Sequence, residues 1–116
     1  RSYDMNIPAV KIDTNEPVTI VRSHLAGPGN LIASLYKYTN LTVRDSFFWG
    51  KAPTVDNVAR GTAIDINTYK NLVVEYNYFE SNGRVIFTDD YVGNKTSSET
   101  LIVRYNKVKN IDGRFR

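Results

Sequence analysis

The stretch NLTVRDSFFWG, Asn40 to Gly50, decides how this chain folds, because the chain writes it four times. Near-copies are PVTIVRSHLAG from Pro17 to Gly27, NLVVEYNYFES from Asn71 to Ser81, and TLIVRYNKVKN from Thr100 to Asn110. Aligned on the first apolar residue, the copies begin at Val18, Leu41, Leu72 and Leu101, which lie 23, 31 and 29 residues apart. Two residues on stand Ile20, Val43, Val74 and Val103. Five on stand Ser23, Ser46, Asn77 and Asn106, and seven on Leu25, Phe48, Phe79 and Val108.

Alternation of period two marks a strand with one buried face. Leu41 and Val43 therefore point one way, and Thr42 and Arg44 the other. The small polar residue interrupts the alternation as a turn does, and a second short strand follows with Phe48 inward. A further strand precedes each copy: AVKI (Ala9 to Ile12), LIASL (Leu31 to Leu35), TAIDI (Thr62 to Ile66) and RVIF (Arg84 to Phe87). Val10, Ile32, Ile64 and Ile86 form one expected inward column. The unit predicted is three short strands, repeated about four times. No single copy buries its apolar face alone, whereas stacked copies share a continuous core, which is the signature of a solenoid. Parallel strands about 4.8 Å apart then place like on like: Phe48 over Phe79, and Asn77 over Asn106. The Gly and Pro residues of GPGN (Gly27 to Asn30) and GKAP (Gly50 to Pro53) fall between strands, where breakers belong.

The totals agree with one all-β domain spanning 1–116. The 116 residues are 41% hydrophobic, enough for one core. There is no cysteine, which excludes disulfides, thiolate metal sites and cysteine nucleophiles. No apolar run approaches the length of a membrane span, and no signal peptide is visible. The formal charge is +3 and the pI about 9.2. This mild excess suits polyanions such as acidic glycans. Nucleic acid fits poorly, since there is no basic stripe and no recognition motif. NLT at Asn40 and NKT at Asn94 match glycosylation sequons, triplets that also arise by chance.

The repeat, with its turn asparagines Asn77 and Asn106, resembles the right-handed parallel β-helix of the pectate-lyase-like superfamily over residues 7 to 112. Ser23 and Ser46 depart from asparagine, so a short asparagine ladder is expected. A leucine-rich repeat needs tighter leucine spacing, and a β-sandwich leaves four aligned copies unexplained. The resemblance implies a secreted, cell-surface or periplasmic protein that contacts polysaccharide. It makes TAIDI and its equivalents the first strand of each turn. Two insertions, Lys51 to Arg60 and Val92 to Thr100, then flank the outer face of that strand, where related lyases and hydrolases wall their substrate.

By alternation the outward residues of that face are Lys11 and Asp13, Ala33 and Leu35, Asp65 and Asn67, and Phe87 and Asp89. Asp65, Asn67, Asp89 and Asp90 are oxygen donors of the kind Ca²⁺ takes, as in pectate-lyase chemistry. A solvated charged face with no metal is the plainer reading of the same residues. Arg60, Lys51 and Lys11 are candidates to bind a uronate carboxylate, and Arg60 or Lys11 to act as base. The expected substrate-binding set is Lys11, Asp65, Asn67, Asp89, Lys51 and Arg60, with Asp65, Asp89 and Asp90 on the metal. FTDDYVG, Phe87 to Gly93, is faintly similar to a polygalacturonase motif, but that family's other motifs are absent. The single histidine, His24, falls on an outer face far along the axis from Asp89, which removes a Ser-His-Asp triad.

Elsewhere the outer column Val21, Arg44, Glu75, Arg104 alternates in sign like a structural ladder. Phe47, Trp49, Tyr76, Tyr78 and Tyr105 are either sugar platforms or rings that cover one another. No amphipathic helix is visible to cap the stack, and bare ends invite strand pairing with another chain. Three function classes result: a polysaccharide-active enzyme, a binding or adhesion module, and a structural or assembly solenoid.

Overall fold

The computed structural model describes residues 8–50, 61–88 and 98–111. All regular structure among them is β. The strands are β1 (Val10–Lys11), β2 (Pro17–Val21), β3 (His24–Gly27), β4 (Ile32–Arg44), β5 (Phe47–Gly50), β6 (Thr62–Glu75), β7 (Tyr78–Glu80), β8 (Arg84–Thr88), β9 (Thr100–Arg104) and β10 (Lys107–Lys109). They form two parallel sheets. The larger runs β1-β4-β6-β8, with β2 on β4 and β9 on β6, and the smaller runs β10-β7-β5-β3.

The register is the one the copies predict. Val18 pairs with Leu41, Leu41 with Leu72, and Leu72 with Leu101. Leu25 pairs with Phe48, Phe48 with Phe79, and Phe79 with Val108. Val10, Ile32, Ile64 and Ile86 stand in one column. Ile32, Leu41, Val43, Ile64, Ile66, Leu72 and Val74 from the larger sheet join Phe48 and Phe79 from the smaller in one core, all of them fully buried. The two phenylalanine rings stack with centroids 4.8 Å apart.

One expectation needs correction. In the two middle copies the two strands before the corner are not separate. They run together as β4 and β6, of 13 and 14 residues. The break expected between them is reduced, where β4 meets β6, to register shifts between Ser34 and Tyr38 and between Thr39 and Asn40. There the buried Ser34 and Thr39 hydroxyls bond to each other at 2.6 Å, so the irregularity leaves neither hydroxyl unpaired in the core.

The corner between sheets is built alike in every copy. Arg22, Asp45, Tyr76 and Tyr105 all take positive φ, between 49° and 58°. This conformation costs a non-glycine residue roughly 1–2 kcal/mol. The next residue recovers that cost through hydrogen bonds. The Ser23 amide donates to Ser46 Oγ at 3.1 Å, the Ser46 amide to Asn77 Oδ1 at 3.0 Å, and the Asn77 amide to Asn106 Oδ1 at 2.9 Å. Asn77 Nδ2 donates to the Val43 carbonyl and Asn106 Nδ2 to that of Val74, both at 3.0 Å. The asparagine pair is short, but the Ser46 hydroxyl accepts the Ser23 amide in the same way, so the ladder links all four copies.

Two glycines are set by close approach. A Cβ on Gly61 would lie 2.6 Å from the Asn30 amide nitrogen and overlap the Gly29 carbonyl, and one on Gly50 would lie 2.7 Å from Asn82 Cα. Gly61 also donates to the Pro28 carbonyl at 2.8 Å and accepts from Gly83 at 3.0 Å, so it cannot move aside.

Replacing Asn77 by alanine strands the Ser46 amide and the Val43 carbonyl in the core. At roughly 1–3 kcal/mol for each buried unsatisfied group, the loss should be about 2–4 kcal/mol by urea denaturation. Asn106→Ala should cost less, because Asn106 is half-buried and water can replace it. Gly61→Ala should cost about 1–3 kcal/mol through overpacking.

Candidate functional site

Of the residues expected to contact substrate, Lys11, Asp65 and Asn67 fall on the outer face of the larger sheet. Lys11 pairs with Ala33, Ala33 with Asp65, and Asp65 with Phe87, so these four form one column across the copies. Strand alternation explains why: Ile12, Ile32, Ile64 and Ile66 turn inward, which leaves Lys11 exposed and Asp65 and Asn67 half-buried outside. Lys11 and Asp65 are two strands apart, about 10 Å between Cα atoms at the usual strand spacing. Ala33 between them is buried.

Asp65 is held in place. Asn30 Nδ2 donates to Asp65 Oδ2 at 2.9 Å, and Asn30 Oδ1 accepts the Thr62 amide at 2.9 Å. One side chain thus ties the start of β6 to the carboxylate on its outer face. At the far end of the column the Arg84 guanidinium lies over the Phe87 ring, 4.3 Å from its centroid, a cation–π contact that covers one ring face. Sequence reasoning treated GPGN only as a breaker and missed Asn30. The missed signal was an asparagine directly before a buried strand, where its side chain can accept a neighbouring strand's amide.

Lys51, Arg60, Asp89 and Asp90, and the side chain of Leu35, lie outside the described residues. So does most of the Val92 to Thr100 insertion. The structure therefore brings Lys11, Asp65 and Asn67 to one face and leaves the rest of the expected set unplaced. Among the described residues no three of His, Cys, Asp and Glu gather as a metal site.

The aromatic residues of the smaller sheet mostly cover one another. Phe47 and Tyr78 stack at 5.1 Å with planes 9° apart, and Tyr76 and Tyr105 at 5.0 Å and 21°. His24 meets Phe47 edge-on at 4.6 Å. Each stacked ring spends one face on its neighbour, so these columns are structural, while Tyr105, 67% exposed at the end of its column, keeps its outer face open. Trp49 differs: it is 42% exposed and sits in register between Ala26 and Glu80.

The charged column is structural as well. Arg104 Nε donates to Glu75 at 2.8 Å, and Glu75 is buried. That bond, and the negative charge behind it, raise the Arg104 pKa. Arg44 turns instead to its exposed neighbour Asp45, at 3.2 Å. No protein-family model, no curated protein and no solved structure matches the chain.

Tyr78 donates to Glu80 Oε1 at 3.0 Å. Partial desolvation first, then this bond and the charge of Glu80, push its pKa above the usual 10.0. A raised folded-state value means the contribution is full below about pH 10 and fades as pH climbs through the folded value. Thermal melts of wild type and Tyr78→Phe should therefore differ most below pH 10 and converge above it.

Proposed function

We propose that the four copies are four turns of a right-handed parallel β-helix, and that this domain contacts an acidic, uronate-containing polysaccharide at a cell surface or outside the cell. The outer column Lys11–Ala33–Asp65–Phe87 carries the proposal. It sets an exposed cation and an immobilised carboxylate along one line, two strands apart. Glycan recognition uses such a row: a lysine for the uronate carboxylate and fixed acceptors for hydroxyls. Holding Asp65 through Asn30 lowers the entropy lost when a ligand docks. The excess of basic over acidic residues favours a polyanion.

Calcium fits the same face if Asp89 and Asp90 join Asp65 as oxygen donors. In a lyase, calcium would acidify the proton beside the uronate carboxylate, and Lys11 or Arg60 would take it. A non-catalytic adhesion module uses the same face without turnover. A structural or assembly solenoid is the alternative reading. It is favoured by the exposed inward-column residues of the last copy, Leu101, Val103 and Val108.

Acidic polysaccharides should be titrated with and without Ca²⁺, following both unsaturated-uronate absorbance and bound heat. A calcium-dependent absorbance rise identifies β-elimination. Binding without product identifies the module. Lys11→Ala and Asp65→Asn should each weaken binding about 10- to 150-fold, matching one charge-assisted hydrogen bond of roughly 1.5–3 kcal/mol. Asp65→Asn retains an acceptor for Asn30, which separates lost charge from lost fold. Undiminished affinity in the Asp65→Ala/Asp89→Ala double variant sinks the site.

A further inference from the structure

The last copy breaks the burial pattern of the other three. Leu101, Val103 and Val108 occupy the columns of Leu72, Val74 and Phe79, which are wholly buried. Yet they are 45%, 48% and 53% exposed. The strands that carry them, β9 and β10, each pair on one side only among the described residues, with β6 and β7. At the opposite end β2 and β3 likewise pair only with β4 and β5, and Val18, Ile20 and Leu25 are only partly buried. An apolar surface bordered by open strand edges is a template for another chain.

We infer that this surface is covered by a second copy of the same chain, the β9–β10 end of one molecule adding to the β2–β3 end of the next, head to tail. The inference rests on strand register and burial, and does not depend on glycan binding. All four copies share the corner conformation, with positive φ at Arg22, Asp45, Tyr76 and Tyr105, and pair in one continuous register. One end therefore complements the other as neighbouring copies complement each other inside the molecule. Continuing the observed register puts Leu101 on Val18, Val103 on Ile20 and Val108 on Leu25, which are the apolar columns of the core. It puts the Asn106 amide beside the Ser23 hydroxyl, the next step of the corner ladder. Arg22 comes to the outer face of the Tyr105 ring, which is 67% exposed and stacks on Tyr76 from the other side.

Charge selects this arrangement over a two-fold one. Arg104, Lys107 and Lys109 are exposed on the last copy, Arg104 bonded back to Glu75. Pairing two such ends sets cation against cation, which is destabilising. Head to tail, they face Val21, His24 and Ala26. A head-to-tail contact does not close on itself, so growth is open-ended.

Sedimentation equilibrium to millimolar concentration should show the average mass of the 116-residue chain rising about twofold or more, without a plateau at dimer. Val103→Lys, at an exposed position, should keep the far-ultraviolet spectrum and stay monomeric. The chain has no cysteine, so Ala26→Cys and Lys109→Cys can be mixed and joined with a short bis-maleimide. The heterodimer should dominate the cross-linked masses. A monomer at every concentration, a mass that stops at dimer, or a dominant Lys109→Cys homodimer overturns the inference.

Discussion

Everything in this molecule depends on one constraint: each copy must present the same backbone edge to the next. In-register parallel pairing makes that edge, and the corner is where it is hardest to keep. Two residues must carry the chain from one sheet to the other, and the first of them adopts a left-handed conformation even when it is tyrosine. Strain of this kind persists only where the surroundings over-determine it. Here the ladder from Ser23 through Ser46 and Asn77 to Asn106 does so, by giving buried corner amides a side-chain acceptor from the next copy.

The outer surface inherits its character from that constraint. Stacking like on like produces ring columns in which each ring spends one face on its neighbour, and charge columns in which Glu75 is neutralised by Arg104. Residues that break the likeness are the ones left to interact. Lys11, Ala33, Asp65 and Phe87 share a column but no chemistry, and Trp49 lies between Ala26 and Glu80.

The ends obey the same logic. A repeat contacts only its neighbours, so a terminal copy displays its interior. Leu101, Val103 and Val108 are core residues by register and surface residues by position. Their exposure follows from their place in the stack and not from their own sequence, which matches the buried copies.

Which residues share a column was legible in the chain alone, because period two sets the face and the four copies set the alignment. Val10, Ile32, Ile64 and Ile86, and Leu25, Phe48, Phe79 and Val108, were readable before any coordinates. So were the polar corner and the inward stacking of Phe48 on Phe79. Tertiary structure alone decided three other things. It joined the strands of the middle copies into β4 and β6, and in β4 the buried Ser34–Thr39 bond satisfies the irregularity without breaking the strand. It placed Asn30 on Asp65, a contact between residues 35 apart that no local pattern encodes. It left Leu101, Val103 and Val108 in the open, because burial belongs to the neighbour that covers a side chain and not to the side chain itself.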